Sequence, residues 1–199
     1  IWSSNTSSLH GLVEDAGGHP IDLGIAADSE VSLNHAVDRA LTANLDILLT
    51  TGGVSVGDHD LVKEALARQG MDLGFWKIRM KPGKPLAFGR VGQLPVFGLP
   101  GNPVSCMVGF LQFVRPFVRK SLGSPNPFLP VLPARFEGRW TRRPGRNEFL
   151  RVSLHIGLNG LTARLTGRQG SGMVSSMAFA QGFALLGHDA GELNHGDTI

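Results

Sequence analysis

Between residues 124 and 133 the chain reads Ser-Pro-Asn-Pro-Phe-Leu-Pro-Val-Leu-Pro. Four prolines in ten residues remove four backbone donors, so neither a helix interior nor a central strand can run through this stretch. The hydrophobic period also changes across it. Before it, apolar residues recur at helical spacing between short apolar runs. After it they alternate, as on half-buried strands. The expected organisation is an α/β domain over residues 1–123, a stiff linker over 124–133 and a small all-β, barrel-like domain over 134–199. A chain of 199 residues accommodates two such units at roughly 100–200 residues per domain.

In the first part, Leu9, Leu12, Val13 and Ala16 mark a helix stopped by Gly17-Gly18. Ile21–Leu23 reads as a short strand. Asp28 and Ser29 are helix-cap types ahead of the periodic face Val31, Leu33, Ala36, Val37, Ala40 and Leu41. Asp46–Thr50 reads as a buried parallel strand, and Asp60–Gln69 as a helix ended by Gly70. Phe75–Met80, Leu86–Gly89 and Pro95–Leu99 read as strands, the last two joined by a turn at Val91-Gly92-Gln93. A helix is expected from Pro103 to Leu122, with Pro116 kinking or bounding it. This alternation predicts three α/β/α layers on a mostly parallel sheet. In the last part, Arg135–Trp140, Glu148–Ile156, Leu161–Thr166 and Phe183–Gly187 read as strands.

Charge is segregated. Residues 1–60 hold one base and nine acids, residues 61–120 ten bases and two acids, and residues 134–168 eight arginines and two acids. A basic balance permits nucleic-acid binding, but no basic stripe interleaved with aromatics is present and tyrosine is absent. A small anionic ligand fits at least as well as nucleic acid. No run of about 18 apolar residues occurs, so no transmembrane helix is expected. Twenty-seven glycines without a three-residue period exclude collagen and point to tight loops. The single cysteine, Cys106, excludes an intrachain disulfide framework and reads as a buried structural thiol. The seven histidines show no paired metal-ligand spacing.

Three loops carry the chemistry. Thr50–Asp60 leaves a strand and enters a helix. There Gly52, Gly53 and Gly57 allow backbone N–H groups to face an anion. The same segment also reads as a plain connection capped by Asp60. Lys77-Ile78-Arg79-Met80-Lys81-Pro82-Gly83-Lys84-Pro85 sets Lys77, Arg79 and Lys81 on one strand face with Lys84 in the following turn. That suits a phosphorylated or oxyanionic ligand, or else a solvated basic edge. Gly98–Ser105 is a rigid Pro-Gly-Asn-Pro loop opening a helix. It is either the wall of an anion site or a helix start capped by Asn102.

In this order and spacing, GGVSVGDHD at Gly52–Asp60, KPGKP at Lys81–Pro85 and LPGNPVS at Leu99–Ser105 resemble the MoeA family, which includes the gephyrin E domain. Ser4-Asn5, Gly24–Asp28 and Gly167–Ser171 match as well. The resemblance implies a molybdopterin molybdenumtransferase, which inserts molybdenum from molybdate into adenylylated molybdopterin and releases AMP with the help of Mg²⁺. It implies Asp28 and Asp60 as metal ligands and, with Lys77 and Lys81, as catalytic groups. Gly52, Gly53, Ser55, Gly57, Lys84, Pro100, Gly101, Asn102, Pro103, Ser105, Arg151 and Ser171 become the expected ligand-binding set. Asp28 also reads as a helix cap, and Arg151 as a surface strand residue.

The family further carries an N-terminal lobe and a Thr-Gly-Asp-Glu-type loop ahead of the position of Ile1. The chain is therefore expected to be a C-terminal half, not active alone, of a cytoplasmic homodimer. A non-catalytic molybdopterin-binding or scaffold module is the alternative.

Overall fold

The computed structural model describes residues 3–53, 61–158 and 160–199. Helix α1 (Ser4–Asp15) starts at Ser3, whose hydroxyl accepts from the Thr6 amide. Helix α2 (Glu30–Thr42) is capped by Ser29, not Asp28. Strand β1 (Leu48–Thr51) leads through the glycine loop towards α3 (Leu61–Arg68). Strands β2 (Met71–Trp76), β3 (Met80–Lys81), β4 (Ala87–Val91) and β5 (Leu94–Leu99) follow. The sheet order is β1-β5-β4-β2.

Strands β1 and β5 are parallel, with Thr51 opposite Leu99, while β4 pairs antiparallel with both β5 and β2. The described part of this sheet is thus mixed. The tight turn at Gly92 (φ 58°) forces β4 and β5 to run in opposite directions.

Helices cover both faces. Leu9 and Ala16 of α1 pack with Phe97, Leu99, Cys106, Phe110, Val114 and Val118 on one face. Val37, Ala40, Ala65 and Leu66 of α2 and α3 pack with Leu48 and Val96 on the other. Period-2 alternation along β5 explains the division, since Val96 and Phe97 point to opposite layers.

Two expected strands differ. Ile21–Leu23 is a loop, because the Asp22 carboxylate accepts from the Gly24 amide and turns the chain locally. The strand expected over Phe75–Met80 stops at Trp76, since Lys77 adopts a left-handed backbone (φ 70°). Lys77, Arg79 and Lys81 therefore do not line one strand face.

The long helix forms in three parts: α4 (Pro103–Gly109), a π-helical segment (Phe110–Val114) and α5 (Arg115–Ser121). Pro116 lacks an N–H and its ring crowds the preceding turn. The Arg115 amide bonds to the Phe110 carbonyl five residues back, which is the π pattern.

Residues 124–133 form no helix or strand. Beyond them lie β6 (Arg135–Glu137), β7 (Trp140–Thr141), β8 (Asn147–Gly157), β9 (Gly160–Leu165), α6 (Val174–Ala178), β10 (Gly182–Leu186) and β11 (Glu192–Leu193). The main sheet runs β10-β8-β9-β6, and β7 pairs with β11 as a separate ribbon. Phe136, Leu150, Val152, Ala163 and Ala184 form its core.

The two domains meet through β3, which leaves the first domain and joins the second sheet, pairing in parallel with the start of β8. Met80, Val104 and Val108 are buried there against Phe149, Met177 and Phe183. Burying each such apolar side chain contributes roughly 1.5–3 kcal/mol. No helix among the described residues is long and apolar enough to cross a membrane.

Candidate functional site

The site is organised around the C-terminal ends of β1 and β5, which are adjacent and parallel. In α/β sheets ligands gather at such ends. The Gly52 amide donates to the Leu99 carbonyl at 3.2 Å, where the first loop leaves the sheet beside the third. Gly52 and Gly53 both have positive φ, 81° and 67°. Gly101 comes so close to Gly52 that a Cβ added to it would lie 3.5 Å from the Gly52 Cα. That is ordinary contact distance, so what demands glycine here is the left-handed backbone at residues 52 and 53.

Asn5 ties the two loops together. Its Nδ2 donates to Thr51 Oγ1 at 2.7 Å and to the Gly101 carbonyl at 2.9 Å. Its Oδ1 is buried without a partner. Thr51 Oγ1 also donates to the Pro100 carbonyl and touches the Cys106 sulfur at 3.7 Å. Burial pushes the Cys106 thiol up to about 11, which keeps it a neutral packing group.

The third loop leads into α4. Pro100 and Ser105 are buried, Pro103 is half-buried, and Gly101 and Asn102 are exposed. Asn102 occupies the capping position but makes no side-chain cap bond. The Ser171 carbonyl instead accepts from the Val104 amide at 3.2 Å. Ser171 thus meets the third loop through its backbone.

The second loop closes on itself, with the Lys77 amide bonded to Leu86 and the Ile78 amide to Lys84. It lies against α4, since a Cβ on Gly83 would stand 3.6 Å from the Ser105 carbonyl. Lys77 and Lys84 are exposed, and neither makes an ion pair among the described residues. Lys81 differs. Its Nζ lies 2.7 Å from Glu148 Oε1, and Glu148 is 1% exposed.

Arg151 is buried, not a surface strand residue. Its Nε donates to Ser176 Oγ and its guanidinium to the Gly170 carbonyl. The Gln169 amide brackets the Arg151 backbone, accepting from its N–H at 2.8 Å and donating to its carbonyl at 3.2 Å. Arg151 therefore supports the Gly167–Ser171 loop from beneath. Burial pulls its guanidinium below the ordinary range, and the nearby Glu148 charge offsets part of that.

Asp28 is exposed and linked to none of the three loops by a hydrogen bond or ion pair among the described residues. Ser55, Gly57 and Asp60 lie outside the described residues. Among those described, no group of three or more acidic, histidine or cysteine side chains could hold a metal. The structure therefore brings together Gly52, Gly53, Pro100, Gly101, Asn102, Pro103, Ser105, Ser171 and the Lys81–Lys84 turn. Asn5, Thr51, Glu148, Trp140 and Gln169 hold that arrangement. Sequence spacing singles out none of them for such a role. The family match touches two of them, Asn5 beside Ser4 and Gln169 within Gly167–Ser171.

Comparison with known proteins identifies two consecutive regions of the chain. Residues 1–120 match the family described as probable molybdopterin binding domain. Residues 133–199 match the MoeA C-terminal region, domain IV. A molybdopterin molybdenumtransferase of Haemophilus influenzae is 34% identical over 100% of this chain and 49% of its own length. Molybdopterin molybdenumtransferase 2 of Mycobacterium tuberculosis is 36% identical over 77% of this chain and 39% of its own. A solved molybdopterin biosynthesis MoeA protein of Pyrococcus horikoshii superposes with a TM-score of 0.82 at 29% identity, covering 100% of this chain and 47% of that one. The chain spans about half the length of these relatives. With both consecutive regions matched in order along its length, the chain belongs to the MoeA family.

Proposed function

We propose that this chain works in molybdenum cofactor biosynthesis, binding molybdopterin as part of a molybdopterin molybdenumtransferase. The observation that carries this reading is the contact of three loops at one sheet edge, with Gly52 against Gly101 and Gly83 against Ser105. Backbone N–H groups, two exposed lysines and a rigid proline loop make a surface suited to phosphate and oxyanion groups. The reaction would join molybdenum from molybdate to adenylylated molybdopterin and release AMP.

Within that reading each part has a task. Gly52 and Gly53 offer backbone N–H groups to the anion, and the family motif adds Ser55 and Gly57 to that role. Lys77 and Lys84 supply positive charge, and Lys81 does so from its seat on Glu148. Pro100, Gly101, Asn102, Pro103 and Ser105 form a wall that needs little reorganisation on binding. Ser171 braces that wall, and Arg151 holds the loop carrying Ser171.

Mg²⁺ takes one or two carboxylates, several waters and substrate phosphates. The family motif assigns such a role to Asp28, which is exposed ahead of α2, and to Asp60. The ion would neutralise phosphate charge as the phosphoanhydride is attacked. A homodimer acting in the cytoplasm completes the reading, and the reducing cytoplasm agrees with one free, buried cysteine.

The direct test is titration of the chain with molybdopterin, followed by pterin fluorescence. Saturable binding in the native chain that weakens in Lys84→Ala supports the reading. Identical binding by both, or by neither, rejects it.

A further inference from the structure

Glu148 is among the largest fully buried side chains, and the sheet edge described above has no evident use for it. An ionised carboxylate out of water costs several kcal/mol unless donors compensate it. Three groups converge on it. Lys81 Nζ lies 2.7 Å from Oε1, Trp140 Nε1 donates to Oε2 at 3.1 Å, and Arg142 Nε stands 3.5 Å from Oε2. The last is a charge contact without hydrogen-bond geometry. The other Arg142 nitrogens donate to the carbonyls of Arg146 and Gly187, within the second domain. Lys81 is thus the donor that reaches Glu148 from the first domain, as its register partner on β3.

The surroundings make this pair decisive for position. The β3–β8 pairing is two residues long, Met80 with Asn147 and Lys81 with Glu148. One further bond runs from the Asn147 amide to the Arg79 carbonyl. So short a parallel ladder has little hold of its own. Met80 packs on Val104, Val108 and Phe149, which is attraction without direction. Only Pro82 and Gly83 separate Lys81 from Lys84, so a shift of Lys81 shifts the turn. The Lys81 side chain remains 46% exposed, so burial does not fix it, and its ammonium keeps donors for a ligand.

We propose that Glu148 is a positioning residue: through the Lys81 ammonium it sets where the Lys77–Pro85 loop stands for an anionic ligand. Occupancy of that loop is then felt at Trp140, whose ring lies 5.9 Å from Lys81 Nζ and whose indole N–H is held by the same carboxylate. This rests on the reading of the loop as a molybdopterin phosphate site.

The experiment titrates the chain with molybdopterin under two readouts. Pterin fluorescence reports binding. The Trp140 indole ¹H–¹⁵N resonance, identified by its loss in Trp140→Phe, reports the carboxylate. In the native chain the resonance moves with the same midpoint as the fluorescence. Glu148→Gln weakens binding by about tenfold, Lys81→Gln by at least as much because it also removes a donor to the ligand, and the double variant loses no more than Lys81→Gln alone. If Glu148→Gln does not fold, Glu148→Asp, which keeps the charge and draws it back from Lys81, carries the comparison. Lys84→Ala weakens binding while leaving the Trp140 resonance of the free chain in place.

A Glu148→Gln chain that binds as tightly as native, or tighter, overturns the proposal. So does a Trp140 resonance that stays fixed while fluorescence saturates. In both cases Lys84→Ala still weakens binding, so the phosphate reading survives. If the native chain takes up no molybdopterin, that reading fails and the proposal with it.

Discussion

Asn5 Nδ2 stands 2.7 Å from Thr51 Oγ1, joining the first turn of α1 to the end of β1 across 46 residues of sequence. The same amide reaches the Gly101 carbonyl. One buried side chain therefore spans both loops at the sheet edge, and the spacing between those loops depends on it.

Removing the amide should loosen both loops together. Asn5→Ala is expected to destabilise the chain by about 1–3 kcal/mol, the range for two net hydrogen bonds lost from a buried site. The unpaired Oδ1 moves the value towards the lower end. Molybdopterin affinity should fall as well. Denaturant melts and pterin titrations measure the two effects, and full retention of both would show that the loops are spaced by packing alone.

The lysines of the second loop should separate into two classes. Lys84 is exposed without an ion pair, so Lys84→Ala should weaken molybdopterin binding by roughly 1–3 kcal/mol and leave the melting temperature almost unchanged. Lys81→Ala strands part of a buried charge and should lower stability by up to about 3–5 kcal/mol. Arg142 and Trp140 remain to soften that loss. Thermal melts of the two variants side by side test this, and equal melting temperatures contradict it.

The difference between those lysines shows where sequence reading stops. Loop motifs, the helices at α1, α2 and α3, and the Pro95–Leu99 strand are local patterns, and they were legible. Pro116 announced a helix irregularity, and the π segment lies directly before its turn. What escaped is non-local. Lys77, Arg79 and Lys81 alternate in sequence like strand residues, but the left-handed Lys77 and the pairing of β3 with β8 send them in different directions. Glu148 looks like the polar start of an ordinary strand. Its burial depends on Trp140, Arg142 and Lys81 arriving from elsewhere, and no short-range period records that. Asn102 has the right type for a helix cap, yet a carbonyl from the second domain takes the α4 amide.

The Cys106 thiol predicts a pH effect with a defined sign. Its folded value is raised to about 11 by burial, while an unfolded thiol ionises near 8.5–9. Between those limits the folded state binds more protons than the unfolded one. The contribution to stability is therefore present below about pH 9 and is lost as pH rises towards 11, by about 3 kcal/mol. The difference between native and Cys106→Ala melts across this window isolates it from other titrations. A thiol-specific reagent at pH 8 should leave the folded chain unlabelled and label it fully in denaturant. Rapid labelling of the folded chain would contradict the buried placement.

Arg151 offers a test of how the second domain supports the sheet edge. Its guanidinium holds the Gly170 carbonyl at 3.2 Å and Ser176 Oγ at 3.1 Å, beneath a loop that ends at Ser171. Ser171 in turn holds the Val104 amide where α4 begins. Arg151→Met keeps the apolar stem and removes both donors, while the Gln169 bonds to the backbone can persist. The loop should then open more often without the domain unfolding. Arg168 is an exposed trypsin site inside that loop. Cleavage after Arg168, followed by mass spectrometry, should become about tenfold faster in Arg151→Met, since roughly 1.4 kcal/mol of lost hydrogen bonding raises the open population by that factor. Cutting at exposed Arg39, which lies on α2 far from this loop in sequence, serves as the control and should not change. A uniform acceleration at both sites would mean that Arg151 stabilises the whole chain. An unchanged rate at Arg168 would mean that Gln169 alone holds the loop.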